Sequence, residues 1–299
     1  MMFSKCLFCQ KDRVITKYPE NKGTNKKAAW EFACTNCRYG IHGPIRNCLD
    51  CGIFYVDDLI TQQEITNFYE TLNDPLYLQE QKAREKTFSS YLSKLINYFP
   101  QKGKLLDVGT NTGIFVKLAN DRGFEAYGLE PNKEAADFAK KNYKLDLIAK
   151  PFEKNTFPKN SFDVVTMWDV IEHFTDPISE LNKIYKVLKP GGMLAFSTID
   201  PSSLVAKFWG TRWAWYMEMH RVFLDRKTME NYLSKVGFQK VIFKPHFRYF
   251  SLGYSAKLWS SVHPIFSTIF TKLGQLLGIS GWVVPYYAND LYDCYAFKG

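Results

Sequence analysis

Between residues 103 and 198 apolar residues come in short runs separated by amphipathic stretches, the rhythm of buried strands alternating with helices. Residues 104–108, 126–129, 145–149, 162–167 and 193–198 read as strands, and Phe115, Leu118 and Ala119 recur at helical spacing after the first. Residues 240–243 and 291–297 bring the strands to seven. This alternation predicts an α/β fold, a doubly wound sheet with helices on both faces. Upstream, Thr61-Gln-Gln-Glu64 is a capping box that opens a helix through Ile65, Phe68, Tyr69 and Leu72. Asp74-Pro75 starts another, with Phe88, Leu92, Leu95 and Ile96 on one face up to Phe99-Pro100. Near the end, residues 245–290 separate two strands that a tight hairpin could join. Ile265, Phe266, Ile269, Phe270, Leu273, Leu276 and Leu277 form an apolar helical stripe within this insertion. The expected organisation is a small module over 1–56, a helical linker and cover over 57–100, and a sheet domain over 101–299 with its helical insertion before the last strand.

The first 56 residues hold six of the seven cysteines, in the pairs Cys6/Cys9, Cys34/Cys37 and Cys48/Cys51. The start of the chain lacks the apolar core of a signal peptide, and no apolar run of about 18 residues occurs. The chain therefore reads as cytosolic, where paired cysteines serve as metal ligands rather than disulfides. Two Cys-x-x-Cys turns place four thiolates around one Zn2+, and so small a core needs such a staple. Cys6, Cys9, Cys48 and Cys51 are the favoured ligands, because Gly52 permits a tight turn and residues 53–56 then leave as a strand. Cys6 and Cys9 with Cys34 and Cys37 are the alternative set. Four cysteines leave no open position for water, so the zinc ribbon is expected to be structural. His42 reads as a surface histidine.

Charge sharpens the picture. Of the net +9, the first 56 residues carry +5 and the last 69 another +5, leaving the centre near neutral. No acidic residue occurs between Glu230 and Asp290. Basic ends suit an anionic partner: a phosphorylated substrate, a membrane surface or RNA.

The chemistry gathers where the first strand ends. Gly109-Thr-Asn-Thr-Gly113 is a glycine-bearing turn between strand and helix, and the second strand ends at Glu130, whose carboxylate can accept both hydroxyls of an adenosine ribose. A dinucleotide fingerprint would want glycine at 109, 111 and 114; Asn111 and Ile114 argue against an oxidoreductase. Residues 105–113, with Gly128-Leu-Glu-Pro131, resemble the first two motifs of class I S-adenosylmethionine-dependent methyltransferases. Residues 161–173, ending Trp168-Asp-Val-Ile-Glu-His173, resemble the fourth-strand motif of that family, and 187–194 its turn into the fifth strand. The nearest resemblance is to zinc-ribbon-headed enzymes related to ubiquinone-type O-methyltransferases. It implies a Rossmann-like fold, with Asp107, Gly109 and Gly113 around the methionine end of the cofactor and Glu130 on its ribose. Phe152 and Glu153 would flank the adenine, and Trp168 and Asp169 would close the pocket. Asn111 departs from a second glycine that many members carry.

A hydroxyl acceptor benefits from a base that works near neutral pH, which histidine suits. His173, at the end of the fourth-strand motif, and His220, in Trp213-Ala-Trp-Tyr-Met-Glu-Met-His220, stand at the right positions. For each, a structural hydrogen-bonding role is the alternative. Residues 169–172 lack the Asn/Asp-Pro-Pro-aromatic run of adenine N-methylation, and the sheet domain has no cysteine beside a proline for pyrimidine carbon chemistry. The expectation is O-methylation of a small or lipid-linked anionic acceptor, such as a glycan intermediate, with peripheral membrane contact through 258–280 at the inner face. Zinc-guided RNA methylation and a non-catalytic cofactor-binding module are the alternatives.

Overall fold

A computed structural model describes residues 5–21, 35, 40–58, 60–72, 74–154, 156–259 and 264–299. Cys34 and Cys37 lie outside the described residues.

The chain opens with an antiparallel meander of β1 (Val14–Tyr18), β2 (Ile45–Cys48) and β3 (Phe54–Val56). The turn into β3 passes through Gly52 at φ +82°, a left-handed backbone that glycine adopts without strain. α1 (Gln62–Glu70) begins at the expected capping box: Thr61 Oγ1 accepts the Glu64 N–H, and the Glu64 carboxylate accepts the Thr61 N–H. Asp74 caps the next helix, accepting from Tyr77 N–H. The run to residue 98 is nevertheless two helices, α2 (Pro75–Gln79) and α3 (Gln81–Tyr98). The break falls at Glu80, whose buried carboxylate accepts the backbone N–H and hydroxyl of Ser251, a contact invisible to local pattern.

β4 (Gly103–Val108), α4 (Ile114–Asp121), β5 (Phe124–Leu129), α5 (Lys133–Tyr143), β6 (Phe162–Trp168), α6 (Pro177–Val187) and β7 (Leu188–Ile199) alternate as the hydrophobic pattern requires. After them come α7 (Leu204–Trp209), β8 (Val222–Phe223), α8 (Arg226–Val236) and β9 (Phe238–Pro245). The insertion follows, with β10 (Arg248–Ser251), α9 (Leu252–Trp259), α10 (Pro264–Leu276) and β11 (Val283–Tyr286); the chain then enters β12 (Leu291–Lys298).

The central sheet runs β5-β4-β6-β7-β12-β9. β4 to β7 pair in parallel, and β12 is antiparallel to both its neighbours. This is the expected Rossmann-like α/β sheet, with six strands instead of seven. Residues 145–149 form one bridge, Leu129 to Ile148. Ile148 N–H donates to Gly128 O, but Lys150 N–H turns back onto Ile148 O, and Pro151 has no amide to extend the ladder. Strand alternation divides the core: Val165 and Met167 join a cluster with Phe174, Leu181 and Leu233, while Val164 and Trp168 meet Tyr91, Leu92 and Phe115.

The insertion is more than the helix its stripe suggested. β10 and β11 form an antiparallel ribbon that carries α9 and α10, and α3 holds it through Thr87 Oγ1 to Tyr249 N–H and Tyr91 Oη to His246 Nε2. The side chains of Ile265, Phe266 and Phe270 lie outside the described residues; Ile269, Leu273, Leu276 and Leu277 are exposed. Among the described residues no helix is long and apolar enough to cross a membrane.

Candidate active site

The carboxyl ends of β4, β5 and β6 open into a cavity of about 240 Å³. Gly109, Asn111, Glu130, Phe152, Asp169 and His173 line it, and α1 covers it with Ile65, Thr66 and Tyr69. The cover is pinned by Asn132, whose Nδ2 donates to Tyr69 O (2.9 Å) and Leu72 O (2.6 Å). Sequence reading missed Asn132 in this role; its N-cap position on α5 was legible, its grip on the cover was not.

The glycine-bearing turn explains itself residue by residue. Gly109 sits at φ +70°, where a Cβ would meet the Val170 side chain at 2.7 Å. Asn111 stands at φ +50°, and asparagine tolerates the left-handed region better than most residues that carry a Cβ. Its N–H donates to one oxygen of Glu130 (2.7 Å), and Asn132 N–H donates to the other (2.8 Å). Burial still pushes the Glu130 carboxyl up to about 7, against these amides and with the help of nearby Asp107. Asp107 itself is pushed up to about 7 by burial, against the hydroxyl of Thr166 at 2.6 Å.

Not every expected residue reaches the cavity. Asp107 is buried beneath the turn, and Gly113, at φ +76°, packs against Leu145 and Ala139 as the N-cap of α4. Trp168 departs from expectation: alternation along β6 turns its indole to the opposite face, against Tyr91 (4.7 Å) and Phe115 (5.4 Å). Glu153 belongs to a 3-10 turn, and its side chain lies outside the described residues. Asp169, at φ +57°, accepts from Ser197 Oγ (2.7 Å) and from Arg248 of the insertion at 3.1 and 3.2 Å. Arg248 holds this carboxyl below the ordinary range despite burial. Arg248 stands out in the sequence as part of the insertion's positive charge, but nothing there pairs it with Asp169, because 79 residues separate the partners.

His173 and His220 come together, with ring centroids 4.9 Å apart. His173 Nδ1 lies 3.0 Å from Met219 O and 3.0 Å from Tyr69 Oη; His220 Nδ1 lies 2.7 Å from Trp215 O. Carbonyls only accept, so each Nδ1 carries the proton and each Nε2 is the basic nitrogen. Burial keeps both rings neutral, lowering His173 and taking His220 to about 3 with help from its neighbour. Glu172 beside them is pushed up to about 8 by burial and the charge of Asp169.

The four cysteines also converge. Cys6 Sγ lies 3.7 Å from Cys51 Sγ, Cys9 Sγ lies 3.5 Å from Cys48 Sγ, and all four sulfurs fall within 4.8 Å of one another. A tetrahedron of thiolates about 2.3 Å from zinc has edges of about 3.8 Å, so the set fits the ion. Burial pushes the Cys6 thiol far up, a cost that a cation sharing the cluster would offset. His42 is buried, not superficial, with Nε2 2.9 Å from Thr211 O.

Comparison with known proteins agrees with this fold. The methyltransferase domain family profile matches residues 80–242. The ubiquinone biosynthesis O-methyltransferase of Aliivibrio fischeri is 32% identical over 103 residues, covering 32% of this chain and 44% of that protein. The biotin biosynthesis bifunctional protein BioHC of Cellvibrio japonicus is 29% identical over 161 residues, covering 50% of this chain and 31% of that one. The matches thus span about a third to under a half of these curated relatives. A SAM dependent methyltransferase from Archaeoglobus fulgidus shares the fold, with a TM-score of 0.52 and 20% identity over 75% of this chain and 100% of that one.

Proposed function

The chain belongs to the methyltransferase domain family, and from that premise we propose that it is an S-adenosylmethionine-dependent O-methyltransferase acting on a small or lipid-linked anionic acceptor, such as a glycan intermediate. One juxtaposition carries the reading: a carboxylate seated on two amides and a neutral histidine, His173, line the same cavity, with His220 packed against His173. Glu130 is suited to two ribose hydroxyls, Gly109 and Asn111 to close approach of backbone, and Phe152 to a flat ring. Thr112 Oγ1, buried at the cavity without a hydrogen-bond partner, supports a polar ligand there.

S-adenosylmethionine supplies a methyl group on a sulfonium, whose leaving thioether needs no proton. The protein's task is then alignment of the acceptor hydroxyl and removal of its proton. His173 Nε2 is assigned that proton, with His220, the weaker base of the two, packed against it. The ion pair of Arg248 with Asp169 brings the basic insertion up against the cavity wall, on the side proposed for an anionic acceptor group.

The greasy half of the acceptor has support in exposed apolar surface. Leu204 and Phe208 of α7 are each 82% exposed and Leu276 of α10 is 84% exposed. Asp290 ties the end of the insertion to the segment around α7: its carbonyl accepts Asp200 N–H (2.8 Å), and its carboxylate accepts the indoles of Trp213 and Trp215. Lys207, Arg212 and Lys272 accompany these surfaces, consistent with peripheral contact at an anionic membrane. The test is transfer of labelled methyl to short-chain and lipid-linked anionic acceptors. Deleting 258–280 is expected to cripple turnover of the lipid-linked acceptor while cofactor binding persists. Undiminished turnover after the deletion refutes a role for this segment in receiving the acceptor. Steep loss of acceptor affinity with salt would instead mark RNA.

A further inference from the structure

The meander at the N-terminus does not end with its own third strand. β8, which enters 166 residues after β3 ends, completes it as the fourth, pairing Phe54 with Phe223 and Tyr55 with Val222. Val56 N–H donates to Arg221 O (3.0 Å), and Arg221 N–H donates to Glu172 O (2.7 Å). Backbone hydrogen bonds thus run from the cysteine turn, through β3, to the residue beside His173. His220 is the residue immediately before Arg221 in that relay.

Side chains reinforce the relay. The Arg221 guanidinium reaches the Asp58 carboxylate (3.1 Å), and His42 Nε2 meets Thr211 O. Tyr18 lies against Tyr216 (5.4 Å between centroids). Ile45 and Val56 of the meander share one buried cluster with Trp213, Tyr216 and Phe223. On the other side, Cys6 and Cys48 are buried in the cluster that holds Val222, Leu224 and Met229. At Gly52 any Cβ would strike Thr228 of α8. The stretch from 211 to 224 therefore takes its backbone position from the meander on one side and α8 on the other.

We propose that the metal-held cysteine turn is the positioning element for His220. Four thiolates on one ion fix the turn, the turn fixes β3, and β3 templates β8, which seats His220 on His173. The inference rests on the reading that these cysteines bind a metal and that the histidine pair serves the acceptor. It assigns the N-terminal module a purpose within the site: the module builds the acceptor wall.

The full-length protein is stripped of metal with a chelator and refilled with Co2+, whose thiolate charge-transfer absorption reports occupancy of a four-cysteine site. Hydrogen exchange is followed in peptides covering 218–224, with 103–108 as internal reference. Metal removal is expected to speed exchange in 218–224 by at least about tenfold, with the reference strand unchanged and Co2+ restoring protection. Absence of a charge-transfer band overturns the metal reading itself. A normal band, with 218–224 equally protected in the stripped and refilled states, overturns the positioning role alone. Because stripping could unfold the whole chain, Val56→Pro is the companion variant: it deletes the amide bonded to Arg221 O and leaves every cysteine in place. It is expected to keep the Co2+ spectrum and the affinity for S-adenosylhomocysteine while exposing 218–224. Continued protection of 218–224 in this variant overturns the proposal.

Discussion

At the scale of single residues, the acid–base state of the cavity is set by burial working against local partners. Glu130 accepts two backbone amides yet rises to about 7, Asp107 also rises to about 7 though it accepts the Thr166 hydroxyl, and Glu172 rises to about 8. A carboxyl raised on folding adds stability that is full below its ordinary pKa, near 4, and is lost as pH rises through the folded value. The ligand-free protein is therefore expected to melt at lower temperature at pH 8 than at pH 6, and Glu130→Gln to remove part of that fall. A melting temperature that rises over this interval would contradict the assignment. With Glu130 in its proposed role, cofactor affinity runs the other way, because ribose hydroxyls need the carboxylate. Calorimetry with S-adenosylhomocysteine should show affinity falling about tenfold per pH unit below about 7. Glu130→Gln should bind at least about tenfold more weakly and lose the dependence, since hydrogen bonds to a charged group are worth about 1.5–3 kcal/mol. The histidines are neutral at working pH, as a base must be. Asparagine at 173 is expected to lower kcat about 10²- to 10⁴-fold with cofactor affinity unchanged. An equal loss of cofactor affinity would make His173 a structural residue.

Elements meet at points that no single stretch of chain specifies. The insertion ribbon is tied to α3 by Ser251 on Glu80 and Tyr249 on Thr87, and to the cavity by Arg248 on Asp169. Behind that pair, buried His246 accepts or donates to Tyr91, Asp293 and Arg248, and Lys94 reaches Asp293 (2.8 Å). This side of the cavity is therefore built from four separate segments clamped by charge and hydrogen bonds. The turn after Cys51 is another such joint. Gly52 needs its left-handed backbone and its missing side chain at once, because Thr228 occupies the space. Gly52→Ala is expected to destabilise the fold by about 1–3 kcal/mol, read by chemical denaturation, and to weaken retention of the metal. Wild-type stability in that variant would mean that α8 can withdraw freely.

Across the whole molecule, charge and apolar surface are arranged together. The two ends carry the net positive charge, and the stretch between Glu230 and Asp290 has no acidic residue. The exposed apolar residues of α7 and α10 emerge from the strand ends around Ile199 and Pro245, on either side of β12. That edge is also where the cavity opens. Flotation with vesicles rich in anionic lipid is expected to retain the protein, and raising salt from about 0.1 to about 0.5 M to release part of it. Phe208→Ser with Leu276→Ser should weaken retention severalfold and leave binding of S-adenosylhomocysteine intact. Equal retention of the double variant would assign these side chains some other role.

Local chemistry made much of this legible in advance. Buried strands announce themselves by apolar runs, helix starts by Thr61 with Glu64 and by Asp74, and Glu130 by its place at a strand end after a glycine-bearing turn. These features depend on neighbours a few residues away, so the chain alone determined the sheet, the cover helix and the acid at the end of β5. Residues 145–149 show the limit: the apolar run was there, but whether it paired depended on Lys150 turning back and Pro151 following. The direction of Trp168 was set by the register of β6 between its neighbours. Partnerships across long separations belonged to tertiary structure entirely. Arg248 on Asp169, His42 on Thr211 and β8 on β3 join residues whose own surroundings carry no trace of the partner. Their energy comes from burial and hydrogen bonds that exist only once the chain has closed on itself.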